Sequence, residues 1–122
     1  MPMTLSIDRD RRVVYSALHG SITESEFLDH GRTIQSHSQF DPTFSEIIDF
    51  RGVTDVALSN DALEKLAKTS SIFSPQSKHI IIAPAGLIAE MARLYQGLAE
   101  AIRPHIAIVR TPEEAYEQVR AE

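Results

Sequence analysis

Apolar and polar residues alternate at the start of the chain, where Met3, Leu5 and Ile7 interleave with Thr4, Ser6 and Asp8. A period of two is that of a half-buried strand. After a polar turn over 8–12, Val13, Tyr15 and Ala17 alternate again as far as His19 and Gly20, which predicts an antiparallel hairpin. The pattern then changes to a helical one, with Phe27, Leu28, Gly31 and Ile34 on one face. Two capping-box spacings, Ser21 with Glu24 and Thr23 with Glu26, mark its start. It stops before Asp41 and Pro42, because the residue before a proline disfavours helical backbone.

The stretch 44–71 organises the rest. Ile47 and Ile48 belong to a short buried strand ending near Phe50, and Arg51, Gly52 and Thr54 make an irregular turn. A helix capped by Ser59 or Asn60 follows, with Leu63, Leu66 and Ala67 inward and Glu64, Lys65 and Lys68 outward. A loop over 69–78 leads to His79-Ile80-Ile81-Ile82-Ala83, an apolar run without alternation, as in a strand covered on both faces. Pro84-Ala85-Gly86 turns into the longest predicted helix, whose stripe is Leu87, Met91, Leu94, Tyr95, Leu98 and Ile102 and whose end is Pro104. A second buried strand, His105-Ile106-Ala107-Ile108-Val109, reaches Arg110. Thr111-Pro112-Glu113-Glu114 then combines an N-cap threonine, a proline in the first turn and a capping-box glutamate.

The order is strand, strand, helix, then strand and helix three times over. Alternating strands and helices imply crossovers and a mainly parallel sheet. The expected architecture is a single α/β domain over 1–122, with a mixed, mainly parallel sheet of about five strands and about four helices. The chain has 122 residues, 43% hydrophobic and 24% charged, which are globular proportions. A net charge of -5 argues against nucleic-acid binding, which depends on a cationic surface. The absence of cysteine removes disulfides, thiolate nucleophiles and sulfur-ligated metals, and it fits a cytoplasmic protein. No signal peptide is read at the start. The longest apolar run, 80–89, is far short of the roughly 20 residues of a membrane span.

Candidate chemistry is sparse. His30 and His37 are seven residues apart on a helix, roughly 10 Å along its axis and too far to share a metal ion. His79 and His105 each begin a parallel strand, whereas ligands of open α/β sheets bind at the opposite, carboxyl edge. Asp49 is the carboxylate best placed to be buried. It is either a general base or, more simply, an acceptor for the following turn, for instance from Thr54. Serine-hydrolase, P-loop and dinucleotide motifs are absent, and no cofactor or metal is implied. The carboxyl edge, by contrast, gathers Arg51 and Gly52, then Gly86, then Arg110, each next to a helix start. Such a rim suits a small anionic or lipid-like ligand.

Asp49-Phe50-Arg51-Gly52-Val53-Thr54, followed by Asp55-Val56-Ala57-Leu58-Ser59, resembles the central signature of SpoIIAA-like and STAS domains, the anti-sigma-factor antagonists. In that family a strand ending in Asp-Leu precedes a Gly-Val-Thr-like turn and an Asp-Ser-Ser-Gly-Leu helix start. Ser59 falls on the second serine, which the resemblance makes a candidate phosphoacceptor. Ala57, Leu58, Asn60 and Asp61 replace the family aspartate, first serine, glycine and leucine. Phe40-Asp41-Pro42-Thr43-Phe44 and Ala92-Arg93-Leu94-Tyr95 look closer to a divergent bacterial branch, in which ligand or lipid binding is suggested for some members. The resemblance implies a non-enzymatic regulatory module. A protein partner would dock on Arg51, Gly52, Thr54, Asn60, Gly86 and Arg110, with Ser59 as a phosphoswitch. Ser59 also has a purely structural role open to it as a helix N-cap. Homodimerisation through helix faces or the hairpin edge fits the same pattern.

Overall fold

A computed structural model describes residues 3–69 and 71–121. Met1, Pro2, Glu122 and Ser70, the last within the loop expected over 69–78, lie outside the described residues. Strand β1, Met3–Asp8, pairs antiparallel with β2, Val13–Thr23. In the turn between them Arg12 has a φ of 59°, and Asp8 Oδ1 accepts the Arg11 backbone N–H. Helix α1, Glu24–Ser36, leads to β3, Ser45–Ala57, and α2, Asn60–Lys68, leads to β4, His79–Ile82. Helix α3, Leu87–Ala99, leads to β5, Ile106–Val109, and α4, Pro112–Arg120, follows.

The five strands form one sheet in the order β1-β2-β3-β4-β5, and every pair after the hairpin is parallel. The order never reverses. Crossovers of one hand then place all connecting helices on the same face, and α1, α2 and α3 do share one face. Helix α4 connects no further strand and covers the other, against β3, β4 and β5. Alternation along each strand sends residues to the two sides. On β3, Ile47 packs with Ile80, Ile82, Val109 and Ala115 under α4, whereas Glu46, Ile48 and Phe50 point toward α1–α3.

The sequence misplaces two strand ends. Strand β3 does not stop near Phe50 but runs on through Arg51, Gly52 and Thr54 to Ala57, because β2 also continues past Gly20 to Thr23 and pairs with it. Gly52 permits this: a Cβ there would lie 2.6 Å from His19 Nδ1 and 3.0 Å from the Leu18 carbonyl. Gly20 supplies a φ of 71° beside one of the two register shifts. Of the two capping boxes, Thr23 with Glu26 is the one that forms. Ser21 remains in β2 and donates to Asp55 at 3.4 Å.

Helix α3 departs further. Its length equals that of α1, and Leu87 and Leu94 are 70% and 47% exposed instead of buried. Ala89, Ala92 and Ala99 are its buried residues, and α3 packs against α2 and β5. Among the described residues no helix is long and apolar enough to cross a membrane.

Candidate functional site

Helix α1 packs on β2, while α2 and α3 pack on each other. Between them, above β3 and β4, lies a cavity of about 360 Å³. That is within the ~300–1,000 Å³ range of small-molecule sites. Its walls are mainly apolar: Phe27 and Ile34 from α1, Ile48, Phe50 and Ile81 from the sheet, Leu63 and Leu66 from α2, and Ile88, Met91 and Ala92 from α3. Leu28, 37% exposed, lies at its rim.

The polar residues in this wall come from the amino ends of the strands and the far ends of the helices. Glu46 and His79 are register partners at the starts of β3 and β4. His79 Nδ1 lies 3.0 Å from Glu46 Oε1, with both side chains nearly buried, and Phe73 packs edge-on against the imidazole. His30 Nε2 shares a 2.6 Å hydrogen bond with the fully buried Ser16 hydroxyl. Burial pushes the His30 imidazole below its ordinary pKa, and the nearby Glu46 charge opposes this only in part. Tyr95 is pushed up by burial, with Arg103 acting against the shift and Glu46 adding to it. Arg103 donates from Nη1 to the Ala67 carbonyl at 3.1 Å.

Each fully enclosed side-chain nitrogen and oxygen among the described residues has a hydrogen-bond partner. His79 Nε2 and Tyr95 Oη have none within those residues, so both retain open space beside them, and both residues line the cavity. The cavity thus has an apolar end near Phe27, Phe50 and Ile88 and a hydrogen-bonding end built from His79, Glu46, Tyr95 and Arg103.

The residues that the sequence singles out lie elsewhere. Arg51, Gly52, Thr54, Ser59, Asn60, Gly86 and Arg110 are all exposed toward the carboxyl edge, and none lines the cavity. Ser59 Oγ accepts the Ala62 N–H at 3.1 Å as the N-cap of α2, and Asn60 is the first residue of that helix. Gly86, with a φ of 109°, opens α3, and Arg110 follows β5.

Arg51 is already engaged. Its Nη2 donates to Asp49 Oδ2 at 2.8 Å, and its Nε and backbone N–H also donate to that carboxylate. Asp49 accepts a further 2.7 Å bond from the Tyr15 hydroxyl, and not one from Thr54 as the sequence suggests. Burial alone would raise the Asp49 pKa, but the hydrogen bonds from Arg51 and Tyr15 outweigh it and hold the group below the usual carboxylate range. Tyr15 is pushed up to about 12 by burial and by Asp49. This cluster lies on the α4 face, where Tyr15 stacks on Tyr116 at 6.2 Å and Arg11 sits 5.0 Å above the Tyr116 ring.

No protein-family model and no curated protein match the sequence. Solved structures do match the fold. One is the crystal structure of an uncharacterized protein from the DUF3478 family, with a SpoIIAA-like fold, from Shewanella loihica PV-4. It is 16% identical, with a TM-score of 0.63, and the match covers 96% of this chain and 93% of that one. Another is the anti-sigma-factor antagonist SpoIIAA in its unphosphorylated form, 17% identical, with a TM-score of 0.58 and covering 98% and 99%.

The fold is SpoIIAA-like. The mixed five-stranded sheet with four helices agrees with the class expected from the sequence. What sequence reasoning missed in this SpoIIAA-like chain is the cavity and its polar end. Glu46 and His79 each stand directly before an isoleucine run, a usable signal for a buried polar residue. Both stand at the starts of their strands, opposite the carboxyl edge at which ligands of open α/β sheets bind.

Proposed function

We propose that this chain is a non-enzymatic binding module that holds one small, mainly apolar molecule between α1 and the α2–α3 pair. The observation that supports it is the cavity of about 360 Å³, whose mainly apolar walls a bound molecule would cover. An enzyme using Asp49 as base has less support, since that carboxylate is held by Arg51 and Tyr15 and does not line the cavity. An anion held by Arg51 and Arg110 is likewise less favoured, because Arg51 already carries Asp49.

Gentle purification followed by native and then denaturing mass spectrometry tests the reading. A non-covalent mass lost on denaturation, and absent from a folded Met91→Trp variant, is the expected result. A clean apo mass, together with equal uptake of an apolar fluorescent probe by both proteins, would overturn it.

A second reading, a cytoplasmic regulatory module that docks a protein partner, draws on the fold shared with an anti-sigma-factor antagonist and on the exposed position of Ser59. A phosphate on Ser59 would sit at the N-terminus of α2, where the helix dipole favours negative charge. Because α2 supplies Leu63 and Leu66 to the cavity wall, occupancy and docking would share one helix. Ser59→Asp and Ser59→Ala should then change partner capture in opposite directions. Identical capture by both variants and the parent would remove the switch.

A further inference from the structure

The polar end of the cavity restricts what kind of molecule fits, and this inference rests on the ligand-binding reading above. His79 is only 4% exposed and lines the cavity, yet its Nε2 has no partner among the described residues. Tyr95 adds a hydroxyl without a partner there, and burial keeps it protonated. These two groups offer hydrogen bonds to a ligand at the same end of the cavity. The formal charges nearby are of opposite sign: the Glu46 carboxylate, 3.0 Å from His79, and the Arg103 guanidinium, which donates one bond to the uncharged Ala67 carbonyl. An anionic head would meet the nearly buried Glu46 carboxylate. A cationic head would meet Arg103, so charges of opposite sign flank the head position and a ligand charge of either sign would be opposed by one of them while losing its water.

We infer that the site takes an amphipathic molecule with an uncharged hydrogen-bonding head, of the long-chain alcohol or ketone class. The head lies between Tyr95 and His79, and the tail runs toward Phe27, Phe50 and Ile88. This moves the ligand from the carboxyl rim to the helix-covered face and from anionic to neutral.

Competition against a bound apolar fluorophore at pH 7, with dodecanol, dodecanoate and dodecane, tests it. Dodecanol should displace the probe roughly fivefold better than dodecane, the worth of about one neutral hydrogen bond, and better than dodecanoate. Tyr95→Phe should remove that advantage while leaving dodecane unchanged, which separates a lost hydrogen bond from a damaged cavity. Should Tyr95→Phe lower dodecane binding as well, His79→Gln provides the same comparison at the other contact. Equal displacement by dodecanol and dodecane, or tighter binding of dodecanoate, overturns the neutral head while leaving the ligand-binding module standing. Failure of the fluorophore and all three competitors to bind overturns both.

Discussion

The two faces of the sheet use the same strands and differ in how they are covered. Under α4, fully buried Val13, Ile47, Ile80 and Ile82 close against Ala115, itself 0% exposed, with Val109 alongside. Under α1–α3, neighbouring positions on those strands include Glu46, Ile48, His79 and Ile81, and a cavity remains. Both surfaces contain branched apolar residues, so hydrophobicity does not distinguish them. The helices do: one helix with a small residue at its contact point can seal a face, whereas α1 stands apart from the α2–α3 pair.

The largest expected effect comes from deleting matched side chains on the two faces. Ile47→Ala should cost about 2–5 kcal/mol in urea denaturation, as expected for a filled core. Ile48→Ala, which enlarges an existing void, should cost distinctly less. Equal losses would mean that the faces are packed alike. Enlargement should reverse the order. Ala115→Leu should destabilise by about 1–3 kcal/mol through overpacking. Ala92→Leu, which projects into the cavity, should be neutral or stabilising by up to about 2 kcal/mol.

Acidification gives a smaller contrast. His30 is held below its ordinary value, so between pH 7 and pH 5 the unfolded chain takes up a proton near ~6.5 before the folded chain does. Its contribution to stability is therefore intact above that range and falls as pH drops toward the folded value. Asp49, also depressed, contributes above the ordinary carboxylate value and loses that contribution only at lower pH. A His30→Gln variant should lose less stability than the parent between pH 7 and pH 5, measured by thermal melts. The smallest effect concerns the caps: Ser59→Ala on α2 and Thr111→Ala on α4 should each cost about 1 kcal/mol, since each hydroxyl oxygen accepts one helix N–H at 3.1 Å. A clear inequality would show that one face holds its helix end more tightly.

Much of the closed face is visible in the sequence. The isoleucine runs announce buried strands, and Thr111-Pro112-Glu113-Glu114 starts α4 where expected. Local signals suffice there because caps and strand periods depend on neighbouring residues. The extension of β3 is hidden because Arg51 and Gly52 read as a turn, and only the closeness of His19, 33 residues earlier in the chain, explains the glycine. The cavity is hidden for a related reason. Its volume depends on the spacing of α1 from α2 and α3, and its polar end on the register that sets Glu46 against His79. Ser59 is legible as a cap, because that role depends only on the residues beside it in the chain.

The length of β2 and β3 has a consequence for exchange with solvent. Those strands pair at ten positions, from Val13 with Ser45 to Thr23 with Ala57, whereas β4 meets β3 at only four, the last pairing Ile82 with Asp49. Beyond that point the two long strands project as a ribbon, and β3 becomes an edge although it began in the middle of the sheet. Beyond Arg51, whose own N–H is held by Asp49, backbone amides of β3 that point away from β2 have no strand beside them. In deuterium they should label early, while the amides of Ile47 and Ile48 stay protected, so one strand would report two kinetic regimes divided near Phe50.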